Sequence, residues 1–148
     1  MIEELKKILE TEQCSLVVWN CGRVTCYNKP GVRDLEHLLD NEPEMLRGAV
    51  IADKVIGKAA AGMVAVGRVK ELYAEVMSKK AIPLLEKAGI AYSYGKLVDG
   101  IVEEGDRCKL EQITADCATA EDVVAALRAH FAEMKKKPLP NPPLKGRA

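Results

Sequence analysis

The feature that most constrains the fold is an alternation of strand-like and helix-like segments in the middle of the chain. Three runs have strand character, GAVIAD (48–53), VKELYAEV (69–76) and IAYSYGKLV (90–98), and two segments with helical character separate them. Strand–helix–strand units place neighbouring strands parallel and join them by right-handed crossovers. GAVIAD is apolar almost throughout, which is typical of a strand covered on both faces. The alternation therefore predicts a parallel core sheet with helices packed against it.

The segments on either side of this core extend the prediction to the whole fold. Two short β-rich runs, 14–20 and 23–28, are separated by Cys21 and Gly22, which predicts an antiparallel hairpin. Apolar residues at helical spacing predict further helices near 2–9, 32–40 and after Thr119. We therefore predict an α/β fold, a three-layer α/β/α sandwich with a mixed five-stranded sheet, in one domain over residues 1–134. Residues 135–148 are basic and proline-rich, which predicts a disordered tail.

Charge and composition exclude several classes of function. The chain has 22 basic and 22 acidic residues, so no general positive field is present to bind nucleic acid or an anionic membrane. The most apolar region, 49–67, is interrupted by Asp53, Lys54 and Lys58, and such charges are incompatible with a membrane span. The N-terminal segment lacks the apolar core of a signal peptide, and five irregularly spaced cysteines indicate reduced thiols. These features predict a cytoplasmic protein that binds neither nucleic acid nor membrane.

The stretch ADKVIGKAAAG (52–62) predicts a ligand site, because it places a strand end, a turn and a helix start together. Ligands of open α/β sheets bind beyond the carboxyl ends of parallel strands, where helix N-termini favour anions. We predict that a nucleotide or other phosphorylated small molecule contacts five residues: Asp53, Lys54, Gly57, Lys58 and Ser78. The stretch is not a P-loop, since Ala52 and Ala59 stand where that motif needs a glycine and a hydroxyl. A structural alternative stays open: small residues let the helix lie close on the sheet, and Asp53 caps it.

The segments ADKVIGKAAAG, YAEVMS and AGIAYSYGKLV, in this order, resemble an uncharacterised prokaryotic family, domain of unknown function 1893. The resemblance covers residues 16–111; it implies a cytidine-deaminase-like fold and no assigned reaction. Deaminases carry His or Cys with a Glu two residues later after the second strand, and P-C-x-x-C where the third strand meets its helix. This chain has PGVRDLEHL (30–38) and ADKVIGKA (52–59) there. Because both zinc-binding elements are missing, we expect no catalytic zinc, no other cofactor and no zinc-dependent deamination.

Other combinations of residues give only weak metal candidates. Asp34 and His37 are three residues apart on one face of a predicted helix, opposite its leucine stripe. That placement predicts exposure to solvent for both side chains. Cys21 and Cys26 flank the predicted hairpin, but a zinc site there would need two further ligands. We therefore predict no metal site.

Two alternatives to ligand binding remain open. Cys108, between Arg107 and Lys109, has neighbours that favour a thiolate, and Glu111 follows three residues later. In this first alternative, the chain is a metal-free enzyme that uses Cys108 as a nucleophile with Glu111 or Asp53, although no histidine is visibly paired with the cysteine. The other alternative is a structural or regulatory protein that forms a homo-oligomer. We favour ligand binding, because loss of the zinc ligands removes a reaction but leaves the cleft.

Overall fold

The computed structural model describes residues 1–29, 32–103, 106–107 and 109–136, with the backbone alone for 102–103, 106–107 and 134–136. Its α-helices are α1 (Ile2–Thr11), α2 (Arg33–Asn41), α3 (Lys58–Val66), α4 (Ile82–Lys87), α5 (Lys109–Ile113) and α6 (Ala120–Lys136). Its strands are β1 (Leu16–Asn20), β2 (Arg23–Tyr27), β3 (Val50–Ile56), β4 (Glu71–Ser78), β5 (Ala91–Val98), β6 (Val102–Glu103) and β7 (Asp106–Arg107). Short 3₁₀ turns lie at Pro43–Met45 and Lys79–Ala81.

Strands β1 to β5 form one mixed sheet in the order β2-β1-β3-β4-β5. Strand β1 is antiparallel to both β2 and β3, whereas β3, β4 and β5 are parallel to one another. The β1–β2 hairpin turns at Cys21 and Gly22, whose φ angles of 53° and 75° are those of a two-residue hairpin turn with the twist that strands require. The predicted five-stranded mixed sheet is confirmed.

Helices cover both faces of this sheet. On one face, Leu5 and Leu9 of α1 pack against Val17, Ala52 and other residues of β1, β3 and β4. On the other face, α2, α3, α4 and α6 enclose a larger cluster of buried residues. The predicted three-layer α/β/α arrangement is therefore confirmed, and the part of the chain that the structure describes contains no helix long and apolar enough to cross a membrane.

Helix α3 is buried along most of its length, because it lies between the sheet and α6. Six consecutive residues, from Ala59 to Val64, are buried. A methyl group at Gly62 would lie only 2.4 Å from Cγ1 of Val123 in α6, closer than two carbon atoms can approach. The small residues of GKAAAG therefore serve close packing, but the tightest approach at Gly62 is to α6, whereas the sequence interpretation placed it on the sheet.

The strand ends differ from the sequence prediction in a way that matters for the site. Strand β3 continues to Ile56 instead of ending at Asp53, because its parallel pairing with β4 extends to the pair Ile56–Met77. Asp53 and Lys54 therefore lie within a strand, and Gly57 alone connects β3 to α3. The suggestion that Asp53 caps α3 is wrong, since no side chain of the β3 end bonds to the start of that helix.

The C-terminal third contains one helix that the sequence pattern did not predict, α5, after the short β6–β7 pair. The predicted start of α6 is confirmed, since Oγ1 of Thr119 accepts a hydrogen bond from the amide of Asp122 at 3.0 Å. Helix α6 continues to Lys136, so the first two residues of the predicted tail are helical. Residues 137–148, the remainder of that tail, lie outside the described residues.

Candidate ligand site at the carboxyl edge of the sheet

A buried carboxylate lies at the N-terminus of α3. Oε2 of Glu111 accepts a hydrogen bond from the amide of Lys58, the first residue of α3, at 3.1 Å. Its Oε1 accepts one from the amide of Ile101 at 3.1 Å, and Nζ of Lys80 lies 3.9 Å from the same oxygen. Only 2% of the Glu111 side chain is exposed. The N-terminus of α3 therefore already holds an anion, which the chain itself supplies.

The position of Glu111 follows from the needs of both partners. The first N–H groups of a helix have no acceptor within the helix, and the helix dipole makes this end positive. A carboxylate removed from water needs such donors, because an unpaired buried charge is strongly unfavourable. Each group thus satisfies the other, and α5 is fixed against the start of α3.

Two glycines provide the space for this carboxylate. A Cβ atom at Gly57 would lie 3.0 Å from Oε2 of Glu111 and 2.9 Å from Cγ1 of Ile101. A Cβ atom at Gly100 would lie 3.2 Å from the other carboxylate oxygen. Gly57 has an extended backbone, with φ −98° and ψ −171°, so close approach, and not backbone strain, is the reason for glycine there.

Two lysines at the same edge of the sheet bond to the part of the chain that follows β5. Lys79 pairs with Asp99 at 3.0 Å, and Nζ of Lys58 donates to the carbonyl oxygen of Ala115 at 3.1 Å. Within the described residues, neither Lys58 nor the exposed Lys54 forms an ion pair with a carboxylate. The edge therefore carries positive charge that the described acidic groups do not fully neutralise.

Asp53 is a second buried acid near this edge. It is 7% exposed, and its Oδ1 accepts a hydrogen bond from the amide of Val55 at 3.3 Å. Burial raises the pKa of Asp53 to about 7; backbone N–H groups oppose this shift, and the negative charges of Asp34 and Glu75 add to it. A carboxyl group with this pKa can accept or donate a proton at neutral pH.

The prediction that Asp34 is exposed is wrong. This side chain is 7% exposed, and its Oδ2 accepts a hydrogen bond from the amide of Lys29 at 2.9 Å. Asp34 lies in the first turn of α2, where it turns back to the chain that enters the helix. His37 is separate from it: its ring lies near Asn41 and Glu42 on the exposed side of α2. Asp34 and His37, the weak metal candidate from the sequence, therefore lie in different surroundings, the first buried and the second exposed.

The predicted site residues are distributed over three positions. Gly57 and Lys58 lie at the start of α3 beside Glu111, and Asp53 and Lys54 lie on β3. Ser78 is fully buried, and its Oγ accepts a hydrogen bond from the amide of Lys80 at 3.1 Å, so it orients the turn that carries Lys80. Cys108, the predicted nucleophile, lies outside the described residues.

Sequence reasoning missed two groups that bind the Glu111 carboxylate. Lys80 was accessible to prediction, since it follows the carboxyl end of β4 at the edge where ligands are expected. The amide of Ile101 gave no signal, because almost any residue can provide a backbone N–H group. Among the described residues, no three His, Cys, Asp or Glu side chains are grouped so that they could hold a metal ion.

A family model matches the chain, and two solved structures resemble it to different degrees. The model of a domain of unknown function, DUF1893, matches residues 4–131. The crystal structure of a DUF1893 family protein from Thermotoga maritima has a TM-score of 0.79 and 24% identity, covering 87% of this chain and 88% of that chain. A diaminohydroxyphosphoribosylaminopyrimidine deaminase/5-amino-6-(5-phosphoribosylamino)uracil reductase from the same organism has a TM-score of 0.41 and 14% identity, covering 55% of this chain and 29% of that chain. No curated protein matches the chain. Since the family match covers most of the sequence, this chain belongs to the DUF1893 family.

Proposed function

We propose that this chain binds a nucleotide or another phosphorylated small molecule at the N-terminus of α3, where a phosphate group replaces the carboxylate of Glu111. The observation that supports this most directly is the carboxylate itself, held by the amides of Lys58 and Ile101 at 3.1 Å each. A phosphate oxygen requires the same donors and gains from the same helix dipole. The donors that a phosphate requires are therefore present at the N-terminus of α3, where they hold an internal carboxylate.

The charges at this edge favour exchange with a more highly charged ligand. Lys80 lies 3.9 Å from Glu111, and a phosphate at the same position keeps that partner. Lys58 adds a charge that the single carboxylate of Glu111 leaves without an ion pair in the described structure. A dianionic phosphate interacts with more of these lysines than a carboxylate does. Ligand binding therefore compensates for the contacts that Glu111 loses.

The experiment is a thermal-shift and calorimetric screen with ATP, GMP, ribose 5-phosphate and inorganic phosphate. A ligand present at one hundred times its Kd stabilises the protein by about 2.7 kcal/mol. Glu111→Ala is expected to bind the same compound more tightly than the natural chain, because the competing carboxylate is gone. Gly57→Val and Lys58→Ala are expected to weaken binding, by steric exclusion and by loss of a positive charge respectively.

Lys70→Ala is the matched control, since Lys70 is an exposed lysine that precedes β4 at the opposite edge of the sheet. It is expected to leave binding unchanged. The proposal fails if no compound binds either the natural chain or Glu111→Ala. It also fails if Lys70→Ala reduces binding as much as Lys58→Ala does, since the effect would then reflect net charge alone.

The pKa of Asp53 favours a second candidate function, metal-free acid–base catalysis. Its pKa of about 7 lets Asp53 exchange a proton at neutral pH, so Asp53 is the candidate proton carrier for this function. This function needs a nucleophile, for which Cys108 is the candidate from the sequence. Iodoacetamide at neutral pH, with the modified thiol identified by mass spectrometry, tests it. Cys108 must react faster than the other four cysteines, and equal rates would remove the support for this alternative.

A further inference from the structure

A cavity lies at the other end of α3, away from Glu111. It has a volume of about 500 Å³ and lies between the C-terminal ends of α3 and α4 and the N-terminal end of α6. Its lining includes the buried apolar residues Val69, Leu84 and Ile90. Exposed Arg68 and Lys87 also line it. An apolar surface next to two cations can accommodate a ligand that has an apolar part and an anionic part.

The backbone conformation of Arg68 does not require an arginine side chain at this position. Helices α3 and α4 end in the same way, with the amides of Val69 and Ile90 donating back to carbonyl groups of their own helices at 3.1 and 3.0 Å. The turn requires a left-handed residue just before each of them, and these are Arg68 (φ 63°) and Gly89 (φ 74°). Glycine adopts this conformation without steric cost, whereas arginine does not. The turn by itself would therefore favour glycine in place of Arg68.

Arg68 lies two residues beyond Val66, the C-terminal end of α3. A cation near the C-terminus of a helix interacts favourably with the helix dipole. Lys87 provides this interaction from the last turn of α4 with an ordinary helical backbone. Within the part of the chain that the structure describes, neither the Arg68 nor the Lys87 side chain forms a hydrogen bond or an ion pair. The two cations thus line the same cavity, and no described residue bonds to either side chain.

We propose that this cavity binds an amphipathic carboxylate, whose apolar chain packs on Val69, Leu84 and Ile90 and whose carboxylate group lies between Arg68 and Lys87. Glu121, in the first turn of α6, lines the same cavity and is the one acidic side chain among the described residues that line it. It disfavours an anion nearby and therefore limits the affinity. The site is separate from the one at Glu111 and does not depend on a ligand there.

Calorimetric titration with octanoate, compared with octanol, tests the proposal, because the two probes share an apolar chain and differ in charge. Octanoate is expected to bind more tightly. Arg68→Gly and Lys87→Gln are each expected to weaken octanoate binding about 1.5- to fivefold, the range for an exposed ion pair. Glu121→Gln is expected to strengthen it. Lys70→Gln, which lies outside the cavity, is the control and is expected to leave it unchanged.

Arg68→Gly also separates a binding role from a structural one. Because glycine suits the left-handed position, this variant is expected to fold and to melt at the same temperature as the natural chain or higher. A lower melting temperature would mean that the fold itself needs Arg68, and the proposal would be wrong. It is equally overturned if octanoate does not bind, if octanol binds as tightly, or if Arg68→Gly and Lys87→Gln leave octanoate binding unchanged. Glu111→Ala is expected to leave octanoate binding unchanged, which keeps this test independent of the phosphate site.

Discussion

Replacing Glu111 by glutamine is the most direct test of the arrangement at the N-terminus of α3. The carboxylate accepts one amide hydrogen bond on each oxygen, from Lys58 and from Ile101. Glutamine keeps the shape but has one acceptor oxygen and one NH₂ group, so one of the two amides must face another donor. The side chain is 2% exposed, so water cannot replace the lost acceptor without rearrangement.

The expected loss of stability can be worked out from these contacts. A buried donor left without an acceptor costs about 1–3 kcal/mol. Loss of the negative charge at the start of a helix costs about 0.3–1 kcal/mol more at ordinary sites. We therefore expect Glu111→Gln to lower the free energy of unfolding by about 1.3–4 kcal/mol. Removing one partner of the Lys80–Glu111 pair acts in the same direction, although their 3.9 Å separation makes this the smaller contribution.

Urea denaturation measures this loss through the fluorescence of Trp19, the single tryptophan of the chain. The matched control is Glu121→Gln, because Glu121 is also an acid in the first turn of a helix but is exposed to solvent. The control is expected to lose no more than about 1 kcal/mol. If the two variants lose equal stability, Glu111 contributes only through the helix dipole, and the arrangement of paired amides is refuted.

Two further predictions concern the packing of α3 and the ionisation of Asp53. Gly62→Ala is expected to destabilise the protein by about 1–2 kcal/mol, because overpacking against Val123 at 2.4 Å outweighs the higher helix propensity of alanine. Adding Val123→Ala should restore part of this loss, as measured by a double-mutant cycle of denaturation curves. If the stability losses of the two single variants simply add, the contact between Gly62 and Val123 is contradicted. The pKa of Asp53 is raised from 3.8 to about 7. Between these two pH values the folded state keeps a proton that the unfolded state has released. The contribution of this group to stability therefore falls as the pH rises from about 4 to 7. Asp53→Asn removes this dependence, so the variant should gain stability relative to the natural chain between pH 5 and 8, and a constant difference between the two would refute the raised pKa.

The anion at the start of α3 links the fold to the proposed function. The sequence predicted that the anion at Gly57 and Lys58 belongs to a bound phosphorylated ligand, whereas the structure shows a carboxylate from the chain itself. A ligand phosphate must therefore compete with a tethered group, which lowers its apparent affinity. This competition predicts that Glu111→Ala separates two properties that usually change together, with lower stability and tighter phosphate binding in the same variant.

The sequence by itself determined the architecture of this protein. The apolar character of β3, the alternation of strands and helices, and the Cys21–Gly22 turn were sufficient for the five-stranded mixed sheet and its covering helices. These features are local, because periodicity and turn chemistry act between residues close in the chain. Thr119 at the start of α6 was predictable for the same reason, since a cap bonds to an amide three residues away.

Only the tertiary structure decided what surrounds the site. Glu111 bonds to the amide of Lys58, which is 53 residues away along the chain, and no local pattern records such a contact. Asp34 is buried because it accepts a hydrogen bond from the backbone of Lys29, although its helical position predicted exposure. The end of β3 was likewise fixed by pairing with β4 and not by its own sequence. Contacts between distant segments set burial, charge and hydrogen bonding, and these decide which polar side chains remain available for a ligand.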